Sequence, residues 1–163
     1  MPAQFAMHAI LVGVGATVVI DLWALFLKRV LGISSLSYCL LGRWILHMPS
    51  GTFMHRGIAT ADAKRHECAV GWAAHYSIGI AFALTFVLLA GSSWLAAPRL
   101  LPALAFGVVT VIVPYFTLQP AFGLGIAASR TPSPKRARVK SLLTHAWFGI
   151  GLYLSALLLH QFG

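Results

Sequence analysis

The sequence predicts an all-α membrane protein, a bundle of four transmembrane helices with a short interfacial helix in the first cytoplasmic connection. Three observations point there. Of 163 residues, 59 % are hydrophobic and only 9 % charged, against roughly half and about a quarter in ordinary soluble domains. The apolar residues gather into four segments, near 5–27, 68–90, 100–128 and 141–160. At about 1.5 Å of rise per residue, each can cross a hydrocarbon layer of about 30 Å. The basic residues, finally, crowd into the connections between these segments. The whole chain, 1–163, reads as a single membrane domain.

The placement of charge decides what a net charge of +9 means. Eleven of the twelve Lys and Arg residues lie between the first and second segments or between the third and fourth, and only Arg99 lies elsewhere. The positive-inside rule then puts both basic connections in the cytoplasm and both termini outside. Basic groups beside a membrane also attract anionic headgroups, so membrane lipids are the expected partners and nucleic acid is not.

The first segment lacks a basic leader and is followed by Lys28 and Arg29, so it reads as an uncleaved span. Asp21 interrupts its apolar run, in a chain with three carboxylates in total. Next, Leu36, Leu40, Leu41, Trp44, Ile45 and Met48 recur at helical spacing and Pro49 closes the stretch. This is too short to span, so an interfacial helix over about 35–48 is expected. The residues from 50 to 67 have no clear period and read as a loop, and His47, His55 and His66 lie in the same cytoplasmic connection beside Glu67 and Cys68. Loop histidines without fixed spacing read as solvated. Cys39 and Cys68 stand 29 residues apart without a metal spacing, and a reduced, structural pair is expected on the cytoplasmic side.

Spans two and four share a pattern. Gly71, His75 and Gly79 in one, and Ser141, His145 and Gly149 in the other, set a small residue, a histidine and a glycine at intervals of four. Each set lies on one helical face, and small residues at that spacing let membrane helices approach closely. A weaker echo joins TVVIDLW, residues 17–23, to TVIVPYF, residues 110–116, as a duplicated two-helix unit would. In span three, Pro114 and Pro120 each remove an amide donor and crowd an earlier carbonyl, so that helix should bend near Gln119. In the last connection Thr131-Pro132 and Ser133-Pro134 impose turns, and Ser141 is placed to cap the fourth helix. Arg130, Arg136, Arg138 and Lys140 beside that helix start are candidate contacts for an anion or lipid headgroup.

Asp21, His75, Gln119 and His145 therefore supply one polar group from each span. A charge inside a membrane helix costs about 2.5 to 3.5 kcal/mol on insertion scales and seeks an interior partner. Three readings follow. The set can simply fix helix register in a structural or accessory subunit that packs on a homo-oligomer or a membrane partner protein. It can relay protons in a small transport-like or ligand-binding protein. Or Asp21, His75 and His145 can hold a metal, or the histidines a haem, in a membrane enzyme, although nothing in the sequence requires a cofactor. No nucleophile elbow, phosphate-binding glycine loop or HExxH motif is present, so an enzyme is the weaker expectation. The transport-like or ligand-binding reading leads.

Four stretches, DLWALFLKR, LGRWILHMPSGTF, GWAAHYSIGIAF and GIAASRTPSPKRARVKSLLTH, together resemble a bacterial family of small membrane proteins known as domain-of-unknown-function family 2938. The resemblance implies a bacterial inner-membrane, multi-pass location and carries no assigned activity.

Overall fold

The computed structural model describes residues 3–162, with side chains for 4–161. Every regular element among them is helical. Four stretches are long and apolar enough to span a membrane, Gln4–Val30, Glu67–Ala90, Leu100–Ala121 and Pro134–Gln161. Large apolar side chains such as Leu22, Leu89 and Leu101 stand exposed along them. In water that would be costly, whereas hydrocarbon accepts it.

Helix α1 (Ala3–Val30) ends with Lys28 and Arg29 in its last turn, where the negative end of the backbone dipole favours cations. Gly32, at φ 66°, then turns the chain away. The short helix expected in the first connection is α2 (Tyr38–His47), closed by a 3-10 turn that contains Pro49. Helix α3 (Glu67–Ala90) is followed by α4 (Ser92–Ala96), which occupies the connection between spans two and three.

The third span departs from a regular α-helix at its prolines. Helix α5 (Leu100–Val109) passes into a π-helical turn over Pro114–Leu118 and then α6 (Gln119–Ala121). The wider winding of a π-turn absorbs the crowding at Pro114 without leaving the helical path. This span is shorter than expected, ending at Ala121 rather than near 128. Gly123 and Gly125, followed by Ala127 and Ala128, all take positive φ and end it. The fourth span is longer than expected, because α7 (Pro134–Phe162) takes in the basic run before residue 141. Pro134, with no amide to leave unsatisfied, opens the helix. Ser141 therefore lies inside α7 and does not cap it.

The chain forms two compact units, each assembled from separated segments. Unit 1 holds residues 1–35, 76–110 and 143–163. Its core is Val12, Ala16, Ala83, Val87, Phe148 and Leu152 with their neighbours. Unit 2 holds residues 36–75 and 111–142, around Leu41, Ile58, Ala121 and Phe122. There the irregular connection after α2 is pinned rather than loose. The amides of His55 and Ile58 donate to the carbonyls of Ala121 and Phe122, at 2.8 and 3.1 Å.

The two cysteines are not a reduced pair. Cys39 and Cys68 form a disulfide, with Cα atoms 3.9 Å apart. The cause lies in glycine packing that spacing alone does not reveal. Helices α2 and α3 meet at Gly42 and Gly71, where an added methyl would collide with the carbonyl of Glu67 or of Tyr38.

Candidate functional site

In unit 1, α1 meets α3 at Gly13 and Gly79. A Cβ on Gly13 would stand 2.7 Å from the Cα of Ile80, and one on Gly79 would strike the hydroxyl of Thr17. Thr17 is fully buried and donates to the carbonyl of Gly13 at 2.8 Å. One turn further along α1 lies Asp21, and one turn back from Gly79 on α3 lies Tyr76. The Tyr76 hydroxyl donates to Asp21 Oδ2 at 2.9 Å. The half-buried carboxylate is thus met by a phenol carried on the neighbouring helix.

Helices α5 and α7 repeat the device. A Cβ on Gly149 would lie 2.5 Å from the carbonyl oxygen of Ala103, and one on Gly107 would lie 2.6 Å from that of His145. Thr110, buried like Thr17, donates to the carbonyl of Gly107 at 2.6 Å. Its oxygen also lies 2.7 Å from His145 Nδ1. The single hydroxyl proton is committed to the carbonyl, which can only accept. His145 must therefore donate from Nδ1, leaving Nε2 as the nitrogen that accepts a proton or binds a ligand. The aligned threonines of the two echoing segments, and the aligned glycines of spans two and four, do the same work at both crossings.

In unit 2, His75 stacks on Tyr38 with ring centroids 3.8 Å apart and planes 20° from parallel, and Trp72 meets it edge-on. Gln119 Nε2 donates to Ser141 Oγ at 3.3 Å, while the buried Gln119 Oε1 has no partner among the described residues. Of the four predicted residues, the structure thus puts Asp21 and His145 in unit 1 and His75 and Gln119 in unit 2. The sequence reading missed Tyr76 and Thr110. Both were in reach, since each lies three residues from a glycine at its crossing, Tyr76 from Gly79 and Thr110 from Gly107.

Around α2 lies a second polar centre that sequence reasoning did not assemble. Arg43 forms a bidentate pair with Glu67, at 2.9 and 2.8 Å, and also donates to the carbonyls of Ala59 and Ala61. The hydrogen-bonded Glu67 carboxylate raises the Arg43 guanidinium above its already high pKa. His47 Nε2 meets the Asp62 carbonyl at 3.0 Å, and its ring packs edge-on against His55. These histidines are packed within the pinned connection. Burial, and then the nearby His47, lower the pKa of His55. Among the described residues no three His, Cys, Asp or Glu side chains gather as a metal site would need. Of the basic cluster, Arg138 is engaged with the fold, its Nε donating to the carbonyl of left-handed Ala127 at 2.8 Å.

A family profile described as a protein of unknown function (DUF2938) matches residues 10–159. The chain belongs to this family. No curated protein and no solved structure matches it. Family membership and four span-length helices make it a multi-pass membrane protein.

Proposed function

We propose that this DUF2938 member is a small transport-like or ligand-binding protein of the bacterial inner membrane, working through intramembrane proton exchange. The observation that carries the reading is the Asp21–Tyr76 hydrogen bond inside an apolar span. A carboxylate kept there at an insertion cost, and held by a neutral donor, can take and release a proton as its surroundings change. His145 supports the same chemistry, because its Nδ1 is fixed by Thr110 and Nε2 remains as the proton acceptor. His75 and Gln119 are the residues of unit 2 proposed to take part. Both termini are assigned to the periplasm and the basic connections to the cytoplasm, with Arg130, Arg136, Arg138 and Lys140 meeting anionic headgroups.

The test uses proteoliposomes carrying a pH-sensitive dye, with an imposed potassium diffusion potential. Wild-type protein should carry proton flux above that of empty liposomes, and Asp21→Asn should abolish it while helicity and elution volume stay unchanged. A wild-type flux equal to empty liposomes, or an Asp21→Asn flux equal to wild type, would refute the reading.

A further inference from the structure

The Cys39–Cys68 bond has three features that a purely structural staple does not need. It is open to attack, because Cys68 is exposed and Cys39 only half-buried. Each cysteine also lies in the first turn of a helix, Cys39 in α2 and Cys68 in α3. A thiol released at a helix start faces unsatisfied backbone N–H groups and the positive end of the dipole, which favour the thiolate. Lys64 and Arg65, just before Cys68, add positive charge along the chain. Exposed sulfurs in such surroundings exchange readily, whereas inert structural cysteines are buried in apolar ones.

The third feature is what the bond holds. Ser37, at the N-cap of α2, makes no side-chain capping bond, so the first turn lacks its usual polar tie. The middle of α2 is secured by the Arg43–Glu67 pair and the Gly42 contact. The first turn is tied to α3 by the disulfide and by the Tyr38 carbonyl packed on Gly71, and Tyr38, whose ring covers His75, is the residue next to Cys39.

From this we infer that Cys39–Cys68 is a reversible dithiol–disulfide centre whose reduction uncovers His75. The partner is a dithiol reductant. Its thiolate attacks Sγ of the exposed residue Cys68, the Cys39–Cys68 bond breaks, and Cys39 leaves as a thiolate that takes up a proton. The second thiol of the reductant then displaces Cys68 from the mixed disulfide. Two electrons have passed to the pair, and the reductant ends as a disulfide. The first turn of α2 loosens, and the imidazole of His75 loses the stacked ring of Tyr38 while Trp72, on its own helix, stays. The inference stands apart from the transport reading, since no proton flux enters it.

The experiment uses the full chain in lipid nanodiscs, treated with dithiothreitol without denaturant. Free thiols are counted by a maleimide mass tag, and His75 reactivity toward diethyl pyrocarbonate is followed by peptide mass spectrometry. Both thiols should become taggable under native conditions, and His75 modification should rise several-fold. Reoxidation with diamide should reverse both changes, and Cys39→Ser should hold His75 in the reactive state. Thiols that appear only after denaturation would overturn the inference. So would native reduction with His75 reactivity unchanged, or an equal rise at His145, which would mean general loosening.

Discussion

The two units are held together by different physics. Unit 1 rests on close approach. Its helices cross where Gly13 meets Gly79 and Gly107 meets Gly149, with small apolar residues and a few large ones filling the core. Hydrocarbon offers no hydrophobic reward for helix association, so packing and hydrogen bonds at such contacts must supply it. Unit 2 also has a glycine crossing, at Gly42 and Gly71, but adds a covalent bond, a bidentate ion pair and several side-chain bonds to carbonyls. An irregular connection has no repeating ladder to satisfy its backbone, so Arg43 and the carbonyls it reaches do that work. Unit 1 should therefore yield to added volume and unit 2 to lost charge.

The largest expected effect falls where unit 2 borrows the device of unit 1. Gly42→Ala places a methyl on the carbonyl of Glu67, with backbone on both sides and nothing free to move. The α2–α3 crossing should fail to form, and alkylation should then find Cys39 and Cys68 as free thiols. An intact disulfide in that variant would show that the crossing tolerates a side chain. Gly149→Ala gives the matching test in unit 1, where the methyl meets the Ala103 carbonyl, and it belongs to the same class of loss.

Next comes Arg43→Ala. It leaves the Glu67 carboxylate with the Lys64 amide as its remaining donor and strips donors from Ala59 and Ala61. Unfolding in mixed micelles should show a clear loss of stability, smaller than that of the glycine variants. Unchanged unfolding would place the pair with ordinary surface ion pairs. The smallest effect is pH-dependent. The pKa of His55 lies below its ordinary 6.5 in the folded chain, so the unfolded chain binds more protons on acidification. Stability should be fully present above pH 6.5 and should fall as the pH drops through the lowered folded value. Replacing His55 by Gln should flatten that slope, and an unaltered slope would assign it elsewhere.

Much of unit 1 was legible because its signals are periodic. Thr17, Asp21 and Gly13 share a face of α1 by arithmetic, and His145 and Gly149 do so on α7, so the faces could be read before any partner was known. The spans and the short helix after the first followed from composition and from Pro49. Unit 2 was hard to read for a complementary reason. Arg43 and Glu67 are 24 residues apart, and Cys39 and Cys68 are 29, across a connection with no period. Nothing local records such meetings. The reduced state expected for the cysteines follows from an inferred compartment, whereas the disulfide follows from a contact between Gly42, which no periodic pattern marks, and Gly71, whose spacing points to helix packing in general. The fourth span began earlier than hydropathy suggested, because a basic run can be helical as easily as an apolar one.

The π-turn at Pro114–Leu118 has an effect that extends beyond the turn itself. Widening one turn by one residue sets everything after it back by about 100° relative to an unbroken α-helix. A helical wheel drawn through the whole third span would assign Gln119 to the wrong side, away from Ser141. In effect the turn works as a built-in phase shift that sets which way Gln119, bonded to Ser141, faces within unit 2. Deleting a single residue within it would realign the two halves, and Gln119 would turn out of reach of Ser141.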